Sequence, residues 1–120
     1  MPVFVVQKHK ATHLHHDVRL EMDGVLKSWA VPKEPPKDVG LKRLAIQVED
    51  HDLDYADFKG TIPKGQYGAG TVEIWDNGSY ELVEKSDDKL VFVLKGKKLK
   101  GAYCLVRLKD KKNWLLFRRA

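Results

Sequence analysis

Short runs rich in β-branched and aromatic residues, broken by turn signals every few positions, leave this chain little to fold into except an antiparallel sheet. Residues 14–22 alternate apolar with polar and meet Asp23-Gly24, a pair that favours the two-residue type I′ hairpin. Residues 25–31 return, and Pro32 with Pro35-Pro36 opens a loop. Residues 44–48 form another apolar run, and residues 52–58 read as a short helical turn ended by Gly60. Residues 71–75 and 80–83 flank Asp76-Asn77-Gly78-Ser79, which reads as a second hairpin. Runs at 90–94, 102–108 and 114–117 complete the set, with turns at 95–101 and 110–113. No segment sustains a 3.6-residue period, and nothing repeats. The expectation is a mostly-β domain, an antiparallel β-barrel with one or two short helices, occupying residues 1–120 as a single unit.

At 120 residues and 42% hydrophobic composition, the chain supports one core and leaves no room for a second. No apolar run approaches the roughly 20 residues needed to cross a bilayer. The first residues, Met1-Pro2-Val3-Phe4-Val5-Val6-Gln7, lack the basic region and cleavage site of a signal peptide. The lone Cys104 sits in Ala102-Tyr103-Cys104-Leu105-Val106 and reads as a buried structural thiol. A soluble, cytoplasmic protein is expected. The net charge of +5 is uneven: from Lys89 onward there are eleven Lys and Arg against one acid, whereas the preceding part has eleven against sixteen. Such an end suits a polyanion, and it equally suits a lysine-rich solvated surface that protects strand edges.

Residues 9–21 concentrate His9, His13, His15, His16, Asp17, Arg19 and Glu21. In a strand, His15, Asp17, Arg19 and Glu21 share one face, while Leu14, Val18, Leu20 and Met22 take the other, with His16 as its polar member. Imidazoles and a carboxylate can ligate Mn²⁺, Zn²⁺ or Fe²⁺ and leave positions open for water and substrate. Without cysteine partners, Mn²⁺ is favoured over a closed structural Zn²⁺. Arg19 offers a planar fork that matches phosphate oxygens. A solvated polar strand face with histidines clustered by chance fits the same residues, since this spacing is no general metal signature. With Asp23-Gly24 as the turn, Arg19 faces Ser28 and Asp17 faces Ala30, small partners that leave space above the polar face; Leu20 and Val18 oppose Lys27 and Trp29 on the core side.

Phe4-Val5-Val6-Gln7-Lys8-His9, Leu14-His15-His16-Asp17-Val18-Arg19-Leu20-Glu21 and Gly24-Val25-Leu26-Lys27-Ser28-Trp29-Ala30-Val31-Pro32-Lys33 follow in order. After them come Val48-Glu49-Asp50-His51, Leu53-Asp54-Tyr55-Ala56-Asp57-Phe58, Ile62-Pro63-Lys64-Gly65-Gln66-Tyr67-Gly68-Ala69-Gly70-Thr71-Val72 and Trp75-Asp76. Together these blocks, covering nearly the whole chain, resemble the 3′-phosphoesterase module of bacterial DNA ligase D. The resemblance implies a β-barrel that acts on 3′ ends of DNA or RNA–DNA primer–templates. It would remove a terminal ribonucleoside as a phosphodiesterase, then the remaining 3′-phosphate as a phosphomonoesterase, with manganese preferred. It places His9, His15 and Asp17 on the metal ligands, Arg19 and His51 on the phosphate-binding pair, and Tyr55 on an active-site tyrosine. Gln7, Glu21, Lys33 and Arg43 fall at or near supporting positions.

The chain departs from the family at His13, where members usually carry arginine, and at His16, where they usually carry an aromatic residue. A role outside the metal shell is expected for both. It begins just before the first block, so an N-terminal arm is expected to be missing, and no attached polymerase or ligase domain is expected. The natural reading is a free-standing prokaryotic enzyme, archaeal sources included, with a separate DNA ligase as partner. Arg19 is expected to grip nonbridging oxygens, and His51 to act as general acid or phosphate donor. Tyr55, four residues on, would share a helical face with His51. The Gly-rich stretch at 65–70 precedes no helix, so it reads as loop shaping rather than a nucleotide loop, with Tyr67 near the groove. Two rival readings are a non-catalytic nucleic-acid-end binding module and a barrel that stores or senses metal or anion.

Overall fold

The structure, a computed structural model, describes residues 2–66 and 69–119; the expectation for Tyr67 lies outside the described residues. Nine strands are assigned among them: β1 (Val3–Lys10), β2 (Leu14–Met22), β3 (Val25–Val31), β4 (Lys42–His51), β5 (Gly60–Ile62), β6 (Gly70–Lys85), β7 (Lys89–Lys95), β8 (Lys100–Arg107) and β9 (Asn113–Arg118). A 3₁₀ turn, Leu53–Asp57, is the helical element among them. All strand pairs are antiparallel, in the order β1-β2-β3-β4-β9-β8-β7-β6, and β6 returns to β1, closing eight strands into a barrel. β5 adds three residues to the start of β6. The mostly-β barrel expected from the sequence is the fold observed. No described helix is long and apolar enough to cross a membrane.

The Asp23-Gly24 turn has positive φ at both residues, 55° and 81°, as a type I′ turn requires. It sets Met22 opposite Val25, Arg19 opposite Ser28 and Asp17 opposite Ala30, the register expected. Inward side chains form the core, among them Phe4, Val6, Leu20, Trp29, Phe92, Tyr103 and Leu105. Each such burial contributes about 1.5–3 kcal/mol for a large apolar side chain. Trp29 and Trp114 meet edge to face at 5.7 Å.

Two sequence expectations need correction. Asp76-Asn77-Gly78-Ser79 is no hairpin: it lies inside β6, one 16-residue strand. The buried Asp76 carboxylate accepts backbone N–H bonds from Lys97, Lys98 and Leu99 at 2.9, 3.2 and 2.9 Å. At Gly78 an added Cβ would stand 2.2 Å from the Lys95 carbonyl oxygen. These turn-forming residue types instead serve a distant turn and a close backbone approach. The other correction is β1, which was not among the expected strands. Phe4, Val5, Val6 and Gln7 are all buried, so no alternation marks it. Phe4 and Val6 join the core, while on the opposite face of β1 Gln7 donates to the carbonyls of Tyr55, in the 3₁₀ turn, and Phe58, just after it.

Candidate functional site

The outward faces of β1 and β2 carry Gln7, His9, His15, Asp17 and Arg19, and the registers place Gln7 opposite Asp17 and His9 opposite His15. One ligand atom each from His9, His15 and Asp17 falls within 4.8 Å of the others. His9 Nδ1 lies 3.6 Å from Asp17 Oδ2, and His15 Nε2 lies 3.2 Å from Asp17 Oδ1. Bonds of about 2.0–2.2 Å to imidazole and carboxylate fit donors at such separations. The His15 Nδ1 contact to the His13 carbonyl at 3.3 Å leaves Nε2 for Asp17 or a cation. The residues therefore fit a divalent metal: two imidazoles and one carboxylate on neighbouring strands, with the remaining coordination positions supplied from outside the triad. The hydrogen bond to Asp17 raises the His15 pKa above its usual value, against the opposing effect of burial. Burial works to raise the Asp17 carboxyl, but His15 and the Arg19 charge outweigh it and hold the group below the usual carboxylate range.

Arg19 is only 4% exposed, which is unusual for a residue expected to grip a ligand from solvent. Its Nε–H donates to Gln7 Oε1 at 2.7 Å and its Nη1 to Ser28 Oγ at 2.8 Å; Nη1 also contacts His51 Nδ1 at 3.1 Å. Nη2 reaches Asp17 Oδ2 at 3.4 Å, a long and weak contact. The Tyr55 ring covers the guanidinium at 4.9 Å. Four of the five N–H donors are thus directed at protein, so the Nη2 edge, beside the metal triad, is the part left for a ligand. Ser28 is not empty space above the polar face. Its hydroxyl donates to the Leu26 carbonyl and accepts from Arg19. Gln7, fully buried, ties Arg19 to the carbonyls of Tyr55 and Phe58.

His51 ends β4 and Tyr55 belongs to the 3₁₀ turn, so they share no helix; their rings still meet at 4.8 Å, and Phe58 stacks on Tyr55 at 4.9 Å. Burial and then the Arg19 charge push the His51 pKa down, and burial pushes the Tyr55 hydroxyl up. At His51 Nδ1 two contacts compete. Arg19 can only donate there, whereas the Glu49 carbonyl, at 3.1 Å, can only accept.

His9, His15, Asp17, Arg19, His51 and Tyr55 line one hollow of about 280 Å³, whose other walls include Ala30, Val48, Glu49 and Ile62. Glu21 points elsewhere, accepting the Val3 N–H at 2.9 Å. Lys33 and Arg43 line a separate hollow with Lys42. His13 is exposed, and its carbonyl, not its ring, meets His15. His16 faces the barrel interior, edge-on to Trp75 at 5.5 Å, and burial lowers its pKa. Sequence reasoning missed Ser28 as a partner and Glu49 as a wall. The hairpin register already set Ser28 opposite Arg19, and Glu49 stands two residues before His51.

Residues 7–107 match the family model described as the DNA Ligase D 3′-phosphoesterase domain. The multifunctional non-homologous end joining protein LigD of Pseudomonas aeruginosa is 54% identical over 123 residues, covering 94% of this chain and 14% of the relative. Its counterparts in Mycolicibacterium smegmatis and Mycobacterium tuberculosis are each 47% identical, covering 96% of this chain and 16% of theirs. The chain thus spans a small part of the length of these relatives, and the stretch matched by the family model contains His9, His15, Asp17 and Arg19. It belongs to the DNA ligase D 3′-phosphoesterase domain family.

Proposed function

We propose that this protein is a manganese-dependent phosphoesterase that heals 3′ ends of DNA, removing a terminal ribonucleoside and then the 3′-phosphate to leave a 3′-OH that can be ligated. The observation that carries this reading is the single hollow that brings a His-His-Asp ligand set against Arg19 and His51. His9, His15 and Asp17 would hold the cation, which when bound supplies Lewis-acid neutralisation of phosphoryl charge.

The chain's own residues do the rest. Arg19, fixed by Gln7, Ser28 and the Tyr55 ring, presents its Nη2 edge to nonbridging oxygens without reorganising as charge develops. With Nδ1 accepting from Arg19, neutral His51 keeps its proton on Nε2, and that N–H can donate a hydrogen bond to a phosphoryl or leaving-group oxygen. The depressed His51 pKa accords with that neutral form. Tyr55 packs against both groups and excludes water from one side. Ala30, Val48 and Ile62 give the hollow an apolar wall suited to a sugar.

The test is a gel assay on primer–templates ending in 3′-phosphate or a single 3′ ribonucleotide, with Mn²⁺ or with EDTA. Shortened and dephosphorylated products in Mn²⁺ alone are expected. Unchanged primers across metals and pH, with salt-dependent binding retained, would instead make this a non-catalytic end-binding module.

A further inference from the structure

A second basic surface lies apart from the site. One hollow of about 290 Å³ is lined by Lys33, Lys42 and Arg43, with Leu44 beside them. Another, of about 380 Å³, is lined by Lys42, Phe117, Arg118 and Arg119, with Val39 at its edge. Lys42 borders both, so the two hollows adjoin as one basic groove region, and no carboxylate lines either. Elsewhere, Lys27, Lys85 and Lys89 stand against Asp50, Asp23 and Glu84. Among the described residues, Lys42, Arg43, Arg118 and Arg119 make no ion pair; Arg43 and Arg118 donate to the Glu34 and Lys37 carbonyls, which leaves their charge uncompensated. Phe117 lies under the Lys42 ammonium at 5.7 Å, an aromatic platform within a run of cations.

The groove is joined to the site by one strand. Val48 lines the site hollow, and Ile46, Leu44 and Lys42 follow at alternate positions of β4 on the same face. Six residues of strand span about 20 Å, which matches about six base pairs at about 3.4 Å per step.

We infer that the Lys42–Phe117–Arg119 groove is a second nucleic-acid contact, gripping the duplex backbone about six base pairs behind a 3′ end seated at the metal triad. The inference rests on the proposed 3′-end reading. A polyanion is the occupant that charge selects. A second copy of this chain would bring a net charge of +5 against the same cations.

The experiment uses fluorescein-labelled DNA hairpins bearing a 3′-phosphate, with stems of about four or about twelve base pairs, titrated in EDTA by anisotropy. The parent protein is expected to bind the longer stem more tightly. Lys42→Glu/Arg119→Glu should weaken binding to the longer stem by about tenfold or more and lower its salt slope by about two, since each lost phosphate contact removes about 0.9. Binding to the short stem and turnover of thymidine 3′-monophosphate in Mn²⁺ should remain. The neutral pair Lys42→Gln/Arg119→Gln should show the same pattern to a smaller extent, with circular dichroism confirming that both fold. Lys109→Glu/Lys111→Glu, the same charge change in the 110–113 turn region, should spare the length dependence. Equal affinity of the parent for both stems, or an equal loss in the control, overturns the groove even where phosphate is released. Length-dependent binding that the variant loses, with no turnover in the parent, keeps the groove and overturns the catalytic reading.

Discussion

Replacing Ser28 by alanine tests how Arg19 is held. The Ser28 side chain is fully buried, and its hydroxyl is oriented by donating to the Leu26 carbonyl, so a lone pair faces Arg19 Nη1 at 2.8 Å. Ser28→Ala removes that acceptor and leaves a buried guanidinium N–H without it. A hydrogen bond to a charged group contributes about 1.5–3 kcal/mol, and about 1.4 kcal/mol is tenfold in rate, so the range corresponds to about 10- to 150-fold. Gln7, His51 and the Tyr55 ring still restrain the guanidinium, which places the expectation at the lower end, about tenfold. Because Arg19 acts on charge that develops during reaction, the loss should fall on kcat, with KM changed less than about threefold. Steady-state hydrolysis of thymidine 3′-monophosphate in saturating Mn²⁺ gives the split. Nitrogen-15 NMR of the arginine side chains reports whether Nη1 becomes free to rotate. A folded variant with kcat within about twofold of the parent, or with the change confined to KM, would refute the reasoning.

Three further outcomes follow from the geometry. His15→Ala and Asp17→Ala should each abolish Mn²⁺ binding followed by electron paramagnetic resonance while leaving the barrel folded, and retained stoichiometric binding would remove that residue from the ligand set. Burial raises the Tyr80 hydroxyl, which donates to the Glu21 carbonyl, to about 12. The folded state therefore holds a proton that the unfolded chain releases near pH 10, so stability to urea should fall from about pH 10 towards 12, and Tyr80→Phe should flatten that slope. Gly78→Ala drives a Cβ against the Lys95 carbonyl and should cost about 1–3 kcal/mol in urea unfolding; an unchanged midpoint would show that the β6–β7 approach relaxes freely.

The barrel and half of the site were legible because they depend on local signals. Asp23-Gly24 fixed the β2–β3 register, and the alternation of His15, Asp17 and Arg19 put them on one face. What escaped depends on contacts between distant segments. Asp76 looks like a turn residue until the backbone of residues 97–99 arrives to use its carboxylate. β1 is buried on both faces and so shows no period. Serine opposite arginine reads as vacancy from size alone, and only the burial of Arg19 turns it into an anchor. Family resemblance grouped Glu21, Lys33 and Arg43 with the site, but none lines its hollow: Glu21 accepts the Val3 N–H, and Lys33 and Arg43 line a separate one.

Barrel closure also bears on how the protein reaches this state. The ring is sealed by pairings that reach from Val3 to Ser79 and from Lys42 to Phe117, the slow, entropy-limited steps of a β topology. His9, His15, Asp17, Arg19 and Ser28 instead belong to a three-strand meander whose partners are neighbours in sequence. Contacts of that kind form early, so the cluster can take shape before the seam closes. A cation bound there would then act on the folding chain as a template as well as on the finished barrel.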